Sequence, residues 1–202
     1  MLERAGANRT SEFDVGRLVS NLLRLYFTLE KGWSIVPEFQ VPEGKKPDFV
    51  LEKLSNGKLV PKIFVEVKRM GGESTHVATE QVTKTPAMTV DNSNLTAYAI
   101  VVTGRTIDFY EYHNYRDMLP DNIPQHSGAI PFNSPIFKDN RPKYPGYLQF
   151  SAKGDEDWQP QGRQRDEWVG CDLNSQPEEV QAVLMWMAEK GAPEQISQEM
   201  LD

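Results

Sequence analysis

Hydrophobic side chains recur at a helical spacing near the start of the chain, between residues 11 and 30. The apolar positions are Phe13, Leu18, Leu22, Leu25 and Leu29. They lie three to five residues apart, close to the 3.6-residue period of an α-helix, with polar residues between them. Thr10 or Ser11 can act as the N-cap, and the glycine of Lys31-Gly32 favours the left-handed conformation that ends helices. The pattern predicts an amphipathic helix that ends at Lys31-Gly32.

Three strands are predicted after this helix, because short segments rich in β-branched and aromatic residues follow it. These segments cover residues 33–41, 47–54 and 62–68. The Ser55-Asn56-Gly57 sequence between the second and third segments is typical of a tight β-hairpin turn. The first half of the chain therefore begins with one helix and three strands.

A second helix and two more strands complete this half of the chain. Residues 73–90 predict a polar helix that Pro86 interrupts, since proline cannot donate a helical hydrogen bond. Residues 96–103 are almost entirely apolar and residues 106–113 alternate, which predicts two strands joined by a turn at Gly104-Arg105. The predicted order of elements is therefore αβββαββ.

The second half of the chain is less regular. Residues 114–175 are dense in Pro, Asn, Asp and Gly, and no sustained period predicts an element there. Residues 177–190 predict a final helix with Ser175 as N-cap, a proline and two glutamates in the first turn, and Gly191 after its end.

Charge and cysteine content limit the class of protein. The formal net charge of −7 argues mildly against a protein that coats nucleic acid by bulk attraction. Positive side chains are nevertheless concentrated between residues 45 and 69, whereas acidic residues gather in the C-terminal third. The single Cys171 cannot form an internal disulfide, and no apolar run approaches the roughly 20 residues of a membrane span. We therefore expect an intracellular protein, in the cytoplasm or nucleus, with no membrane partner.

Charged residues interrupt two of the predicted strands in a pattern that suits metal chemistry. Because side chains alternate along a strand, Phe64, Glu66 and Lys68 share one face of the third strand. Asp48 opens the neighbouring hairpin strand after Pro47. Two carboxylates on adjacent strands can hold Mg²⁺, and a nearby lysine can orient a water and neutralise developing charge. These residues meet the requirements of phosphodiester hydrolysis.

The sequence Pro47-Asp48, followed by Glu66-Val67-Lys68, resembles the motif of the PD-(D/E)XK nuclease superfamily. The resemblance implies an α/β fold with a restriction-endonuclease-like αβββαβ core, in which helices flank a central mixed sheet. Residues 1–113 would form this core within a single compact domain. Residues 114–202 would form a Pro/Gly-rich extension that packs on it and ends in a helix.

The same resemblance implies roles for individual residues. Asp48, Glu66 and Lys68 would be catalytic, with Asp48 and Glu66 binding Mg²⁺ or Mn²⁺. Many members add a glutamate from the first helix; Glu12 fits that place, with Glu30 and Glu38 as alternatives. Gln81 would be an accessory residue of the next helix. Lys45, Lys46 and Arg69 would contact nucleic acid, with DNA preferred over RNA as the substrate, and a homodimer is possible.

Other interpretations remain open. Glu66 and Lys68 could form a solvated strand face with a weak ion pair, and Asp48 could be an ordinary turn residue. Glu12 could simply be a first-turn acid that suits the helix N-terminus. The whole chain could be a nuclease-like fold that binds protein or nucleic acid without cutting, or a nuclease that acts on RNA.

Overall fold

The computed structural model describes residues 11–39, 46–69, 96–113, 129–133, 139–143 and 171–193. These residues form an α/β arrangement of two α-helices and one mixed sheet. In chain order the elements are α1 (Glu12–Tyr26), a 3-10 turn (Leu29–Lys31), β1 (Trp33–Pro37), β2 (Phe49–Ser55), β3 (Lys58–Lys68), β4 (Thr96–Thr103), β5 (Thr106–His113), β6 (Ala129–Pro131), β7 (Cys171–Asp172) and α2 (Pro177–Lys190). No helix among the described residues is long and apolar enough to cross a membrane.

The sheet follows the order β1-β2-β3-β4-β5-β6, and β7 pairs with β5 beside β6. Strands β3 and β4 run parallel, whereas every other pair is antiparallel. Parallel neighbours need a crossover connection. The helix predicted at 73–90 would lie in that connection, but it falls outside the described residues.

Helix α1 begins where the sequence predicts and ends earlier. The Ser11 hydroxyl accepts the Asp14 backbone N–H at 3.1 Å, and the Asp14 carboxylate accepts the Ser11 N–H at 3.3 Å, so a capping box fixes the start. The predicted end at Lys31-Gly32 is wrong, because α1 stops at Tyr26. Phe27 instead packs edge-on against Trp33, with ring centroids 5.0 Å apart.

The buried face of α1 differs from the apolar series that predicted the helix. Val15, Val19 and Leu23 are fully buried against the sheet. Four of the five predicted positions are more than half exposed: Phe13, Leu18, Leu25 and Leu29. The helix carries two apolar series of similar period, and only packing against the sheet decides which one is buried.

The predicted hairpin between β2 and β3 is confirmed. Asn56 and Gly57 have φ angles of 51° and 75°, as required in the tight turn that matches strand twist. Strand β3 begins at Lys58, four residues earlier than predicted, because a proline inside a strand weakens the sequence signal. That residue, Pro61, lies beside a bulge: Leu51 pairs with Ile63 and Glu52 with Pro61.

Strand β1 is shorter than predicted and the second half of the chain is more ordered. The predicted strand 33–41 ends at Pro37, and Glu38 follows with a positive φ of 48°. Within 114–175, where no element was predicted, β6 and β7 both add to the edge of β5. Tertiary pairing can hold such short segments as strands although their own residues carry no strand signal.

Helix α2 is confirmed over 177–190, with Gly191 beyond its end at a φ of 77°. Its N-cap position is Gln176 and not the predicted Ser175, whose backbone N–H bonds to the Asp172 carboxylate at 3.1 Å. The last turn packs against β1 and β2. The Ala188 carbonyl accepts the Trp33 indole N–H at 3.2 Å and the Lys53 ammonium at 3.3 Å, which suits the negative end of a helix.

The two faces of the sheet bury different side chains. On one face, Ile63, Val65 and Val67 pack with α1 and α2 in the larger core. On the other, Phe64 lies in a smaller apolar cluster with Val101 and Tyr110. Glu66 and Lys68 continue the series of Phe64 along β3, so they project from the second face at the end of the strand.

Candidate active site

The hairpin brings Asp48 directly beside Glu66. Phe49 pairs with Val65, and one more step along both strands sets Asp48 opposite Glu66. A carboxylate oxygen of Asp48 accepts the backbone N–H of Val67 at 2.7 Å. This bond holds the side chain of Asp48 at the strand end, so it is more than a solvated turn residue.

Glu66 and Lys68 form a close and largely buried ion pair. The Lys68 Nζ lies 2.8 Å from Glu66 Oε1, and the two side chains are only 14% and 5% exposed. A solvated strand face would leave both charges in water. The structure excludes that interpretation, because Glu66 is part of the protein interior.

The electrostatics of the two carboxyls are coupled. The pKa of Glu66 is raised to about 7, chiefly by burial and also by the negative charges of Asp48 and Glu12, although the hydrogen bond and charge of Lys68 lower it. Burial also raises the pKa of Asp48, whereas the Val67 N–H bond and the Lys68 charge lower it. The pair therefore carries an unfavourable concentration of negative charge that a cation would relieve.

The structure separates the three glutamates proposed to complete the site. Glu12 acts electrostatically on both Asp48 and Glu66, whereas Glu38 acts on Asp48. Glu30 lies in the 3-10 turn beyond the far end of α1, about 20 Å from Glu12 along the helix. Glu38 is not on β1 as the sequence predicts, although its backbone N–H donates to the Asp48 carbonyl at 2.9 Å. Glu12 is thus the best placed of the three.

The carboxylate oxygens of this site suit a hard divalent cation that keeps water molecules in part of its coordination shell. Mg²⁺ commonly uses one or two carboxylates and completes its shell with water and substrate phosphate oxygens. Asp48 and Glu66 supply two such carboxylates. Within the described part of the chain, no group of three or more His, Cys, Asp or Glu side chains is close enough to enclose a metal. Glu12 would have to move inward to become a third ligand.

The remaining predicted contact residues are only partly described. Lys46 and Arg69 are exposed, one before β2 and the other after β3, so both lie at the same end of the sheet as Asp48. Lys45 and Gln81 lie outside the described residues.

Asp108 is a buried acid that the sequence did not single out. It lies on the same face of the sheet as Glu66. It pairs with Val101 of β4, which in turn pairs with Glu66. Asp108 is 8% exposed, its Oδ2 has no hydrogen-bond partner among the described residues, and burial raises its pKa to about 7. The only signal for this buried acid in the sequence is its place between two apolar residues, at a strand position whose side chain points into the protein.

Asp108 should make folding stability depend on pH. Its pKa is raised above 3.8, the ordinary value, so the folded state retains the proton more strongly. The stability that the protonated Asp108 carboxyl contributes is therefore complete below about pH 4. It is lost as the pH rises through about 7, and the free energy of unfolding falls by up to about 4 kcal/mol. Asp108→Asn should remove this loss. Urea unfolding at several pH values would measure it, with Glu189→Gln on α2 as an exposed control. A wild-type-to-variant difference that is constant between pH 4 and 8 would contradict the prediction.

Comparison with known proteins gives no family for the chain: no protein-family model, no curated protein and no solved structure matches it.

Proposed function

We propose that the protein is a divalent-metal-dependent nuclease with a restriction-endonuclease-like core, and that it hydrolyses phosphodiester bonds in nucleic acid, with DNA as the expected substrate. One observation carries the proposal. Two carboxylates that interact electrostatically, Asp48 and Glu66, lie at one end of the sheet beside a lysine whose Nζ is 2.8 Å from Glu66. Burying such charges costs several kcal/mol, and two carboxylates beside a lysine are the groups that metal-assisted hydrolysis of a phosphodiester requires.

Each residue has a distinct role in the proposed reaction. Asp48 and Glu66 hold Mg²⁺ or Mn²⁺, with Glu12 as the additional acid at the helix N-terminus. The cation supplies Lewis-acid stabilisation of the phosphate charge and lowers the pKa of its water. Lys68 donates a hydrogen bond to the attacking water and places positive charge beside the phosphorane oxygens. The Val67 N–H keeps Asp48 oriented through the 2.7 Å bond.

A second candidate function is supported by the same pair of residues. Lys68 already neutralises Glu66, and no third carboxylate converges on them within the described residues. A nuclease-like scaffold that binds protein or nucleic acid without cutting would also have these features. The two functions differ in metal binding, which is the first property to measure.

Glu66→Ala is expected to weaken metal binding and to abolish cleavage. Calorimetric titration of Mn²⁺ into wild-type protein should give saturable binding, and the variant should bind at least about tenfold more weakly because one of two protein carboxylates is lost. Glu189→Ala is the matched control, since Glu189 is an exposed acid on α2.

The same samples would then be incubated with plasmid DNA, single-stranded DNA and RNA in Mg²⁺ or Mn²⁺. Cleavage by the wild-type and Glu189→Ala proteins, and none by Glu66→Ala, would support the nuclease and identify its substrate class. If the wild-type protein binds no Mn²⁺ and cuts none of the three nucleic acids, the nuclease proposal is overturned in favour of the binding scaffold.

A further inference from the structure

The end of the sheet that holds the candidate site is also where a turn from another part of the chain meets β3. Lys68 pairs with Thr103, the last residue of β4, and Thr103 pairs with Thr106, the first residue of β5. The Gly104 N–H donates to the Lys68 carbonyl at 2.9 Å. The two-residue turn Gly104-Arg105 is therefore in direct backbone contact with the proposed catalytic lysine.

Arg105 is held at this position from both sides of the turn. Its carbonyl accepts the Leu173 N–H at 2.9 Å, which fastens the turn to the segment after β7. The side chain of Arg105 is exposed, as is that of Arg69, which follows Lys68. Neither side chain forms an ion pair with any of the described residues. The backbone is fixed while the two guanidinium groups face solvent.

These cations surround the acidic centre in an order that suits a phosphate backbone. Lys46 precedes β2 on one side of Asp48, whereas Arg69 and Arg105 lie beyond β3 and β4 on the other. Strands are about 4.8 Å apart, so the row extends about 10 to 14 Å across the sheet end. That length corresponds to about three to four nucleotides of one strand. A net charge of −7 makes such a local row necessary for binding a polyanion.

We propose that Arg105, together with Arg69, grips a backbone phosphate of the substrate next to the one that is cleaved. This inference rests on the proposed nuclease function and adds a phosphate-binding residue to it. Guanidinium groups bind phosphate through two parallel N–H bonds, which fixes orientation as well as position. Asp172 is the acid that interacts electrostatically with Arg105. Its Oδ1 accepts the backbone N–H groups of Asn174 and Ser175, at 2.8 and 3.1 Å, and no ion pair joins Asp172 to Arg105 among the described residues, so Arg105 is available to an anion.

The test is the salt dependence of DNA binding. A fluorescently labelled 20-base-pair duplex would be titrated with the Lys68→Ala protein in Mg²⁺, to suppress cleavage, at several salt concentrations. Adding Arg105→Ala should weaken binding severalfold and lower the magnitude of the slope of log K against log salt by about 0.9, the value for one lost phosphate contact. Arg105→Lys should restore the slope but not the full affinity.

Lys58→Ala is the matched control, because Lys58 is an exposed cation at the opposite end of β3, about 33 Å from Lys68. It removes the same charge and should leave the slope unchanged. Equal slopes for Arg105→Ala and Lys58→Ala, in a chain that cuts DNA, would overturn the role of Arg105 and leave the nuclease intact. A chain that neither binds nor cuts any nucleic acid would overturn both.

Discussion

Lys68→Ala is expected to lower the rate of nucleic-acid cleavage by about a hundredfold to a thousandfold or more, to the point where none is detected. The ammonium group is the one positive charge in contact with Glu66 among the described residues, at 2.8 Å. Removing a preorganised donor of this kind costs about 3 to 4 kcal/mol of transition-state stabilisation. Cleavage would be measured as initial rates on the best substrate, at saturating Mg²⁺ and Mn²⁺.

The structure adds a condition to this experiment. The Lys68 hydrogen bond lowers the pKa of Glu66, which burial already raises to about 7, so Lys68→Ala raises that pKa further. A protonated Glu66 cannot bind a cation, because metal and proton compete for the carboxylate. Assays should therefore extend to about pH 9, where metal binding returns and only the loss of the lysine remains.

One control variant and one spectroscopic measurement keep the result interpretable. Lys58→Ala, at the other end of β3, should cut at the wild-type rate, and the near-ultraviolet circular dichroism of Lys68→Ala should match wild type. A folded, metal-binding Lys68→Ala protein that cuts at the native rate would contradict the catalytic role of this lysine.

Arg141→Ala is expected to destabilise the fold by about 3 to 5 kcal/mol, because it removes the partner of a buried charge. The Arg141 Nη1 lies 2.9 Å from the Glu111 carboxylate and 3.2 Å from the Phe132 carbonyl. The side chains of Arg141 and Glu111 are 4% and 2% exposed. Deleting the guanidinium leaves the Glu111 carboxylate in a dry environment without this cation.

Asp139→Asn provides a graded comparison. Asp139 also pairs with Arg141, at 2.6 Å, but its side chain is 29% exposed, so water can replace the lost interaction. We expect the free energy of unfolding to fall by about 1 to 2 kcal/mol.

The Arg141→Met and Glu111→Gln double variant should lose less stability than the sum of its single variants, since it removes both charges. Free energies of unfolding in urea would measure all of these. A loss below about 1 kcal/mol for Arg141→Ala would mean that Glu111 is adequately solvated without it.

Several features of the protein were readable from consecutive residues. Ser11, one of the two predicted N-cap residues, starts α1, and Asn56-Gly57 forms the predicted hairpin turn, because each signal acts within four residues. Strand alternation placed Glu66 and Lys68 on one face. These predictions succeeded because the backbone bonds they depend on are local, so no distant part of the chain had to be known.

Other features required the tertiary structure. Alternation could not show that Lys68 pairs with Glu66 in a buried position, since burial depends on what covers the face. The sequence favoured Glu12 over Glu30 and Glu38 only through the family resemblance, and the direction of α1 against the sheet is what separates Glu12 from Glu30 in space. Arg105 lies 37 positions after Lys68, and the parallel pairing of β3 with β4 brings its turn to the site.

Local sequence patterns were enough to predict α1, the strands β1 to β5 and the final helix, and they are the source of the hypothesis about Asp48, Glu66 and Lys68. The tertiary structure decided the buried face of α1, the strands β6 and β7, and the burial of Asp108 and Arg141. The physical reason is the range of the interactions. Turn and cap preferences act between near neighbours, whereas strand pairing and desolvation depend on residues far apart in the sequence.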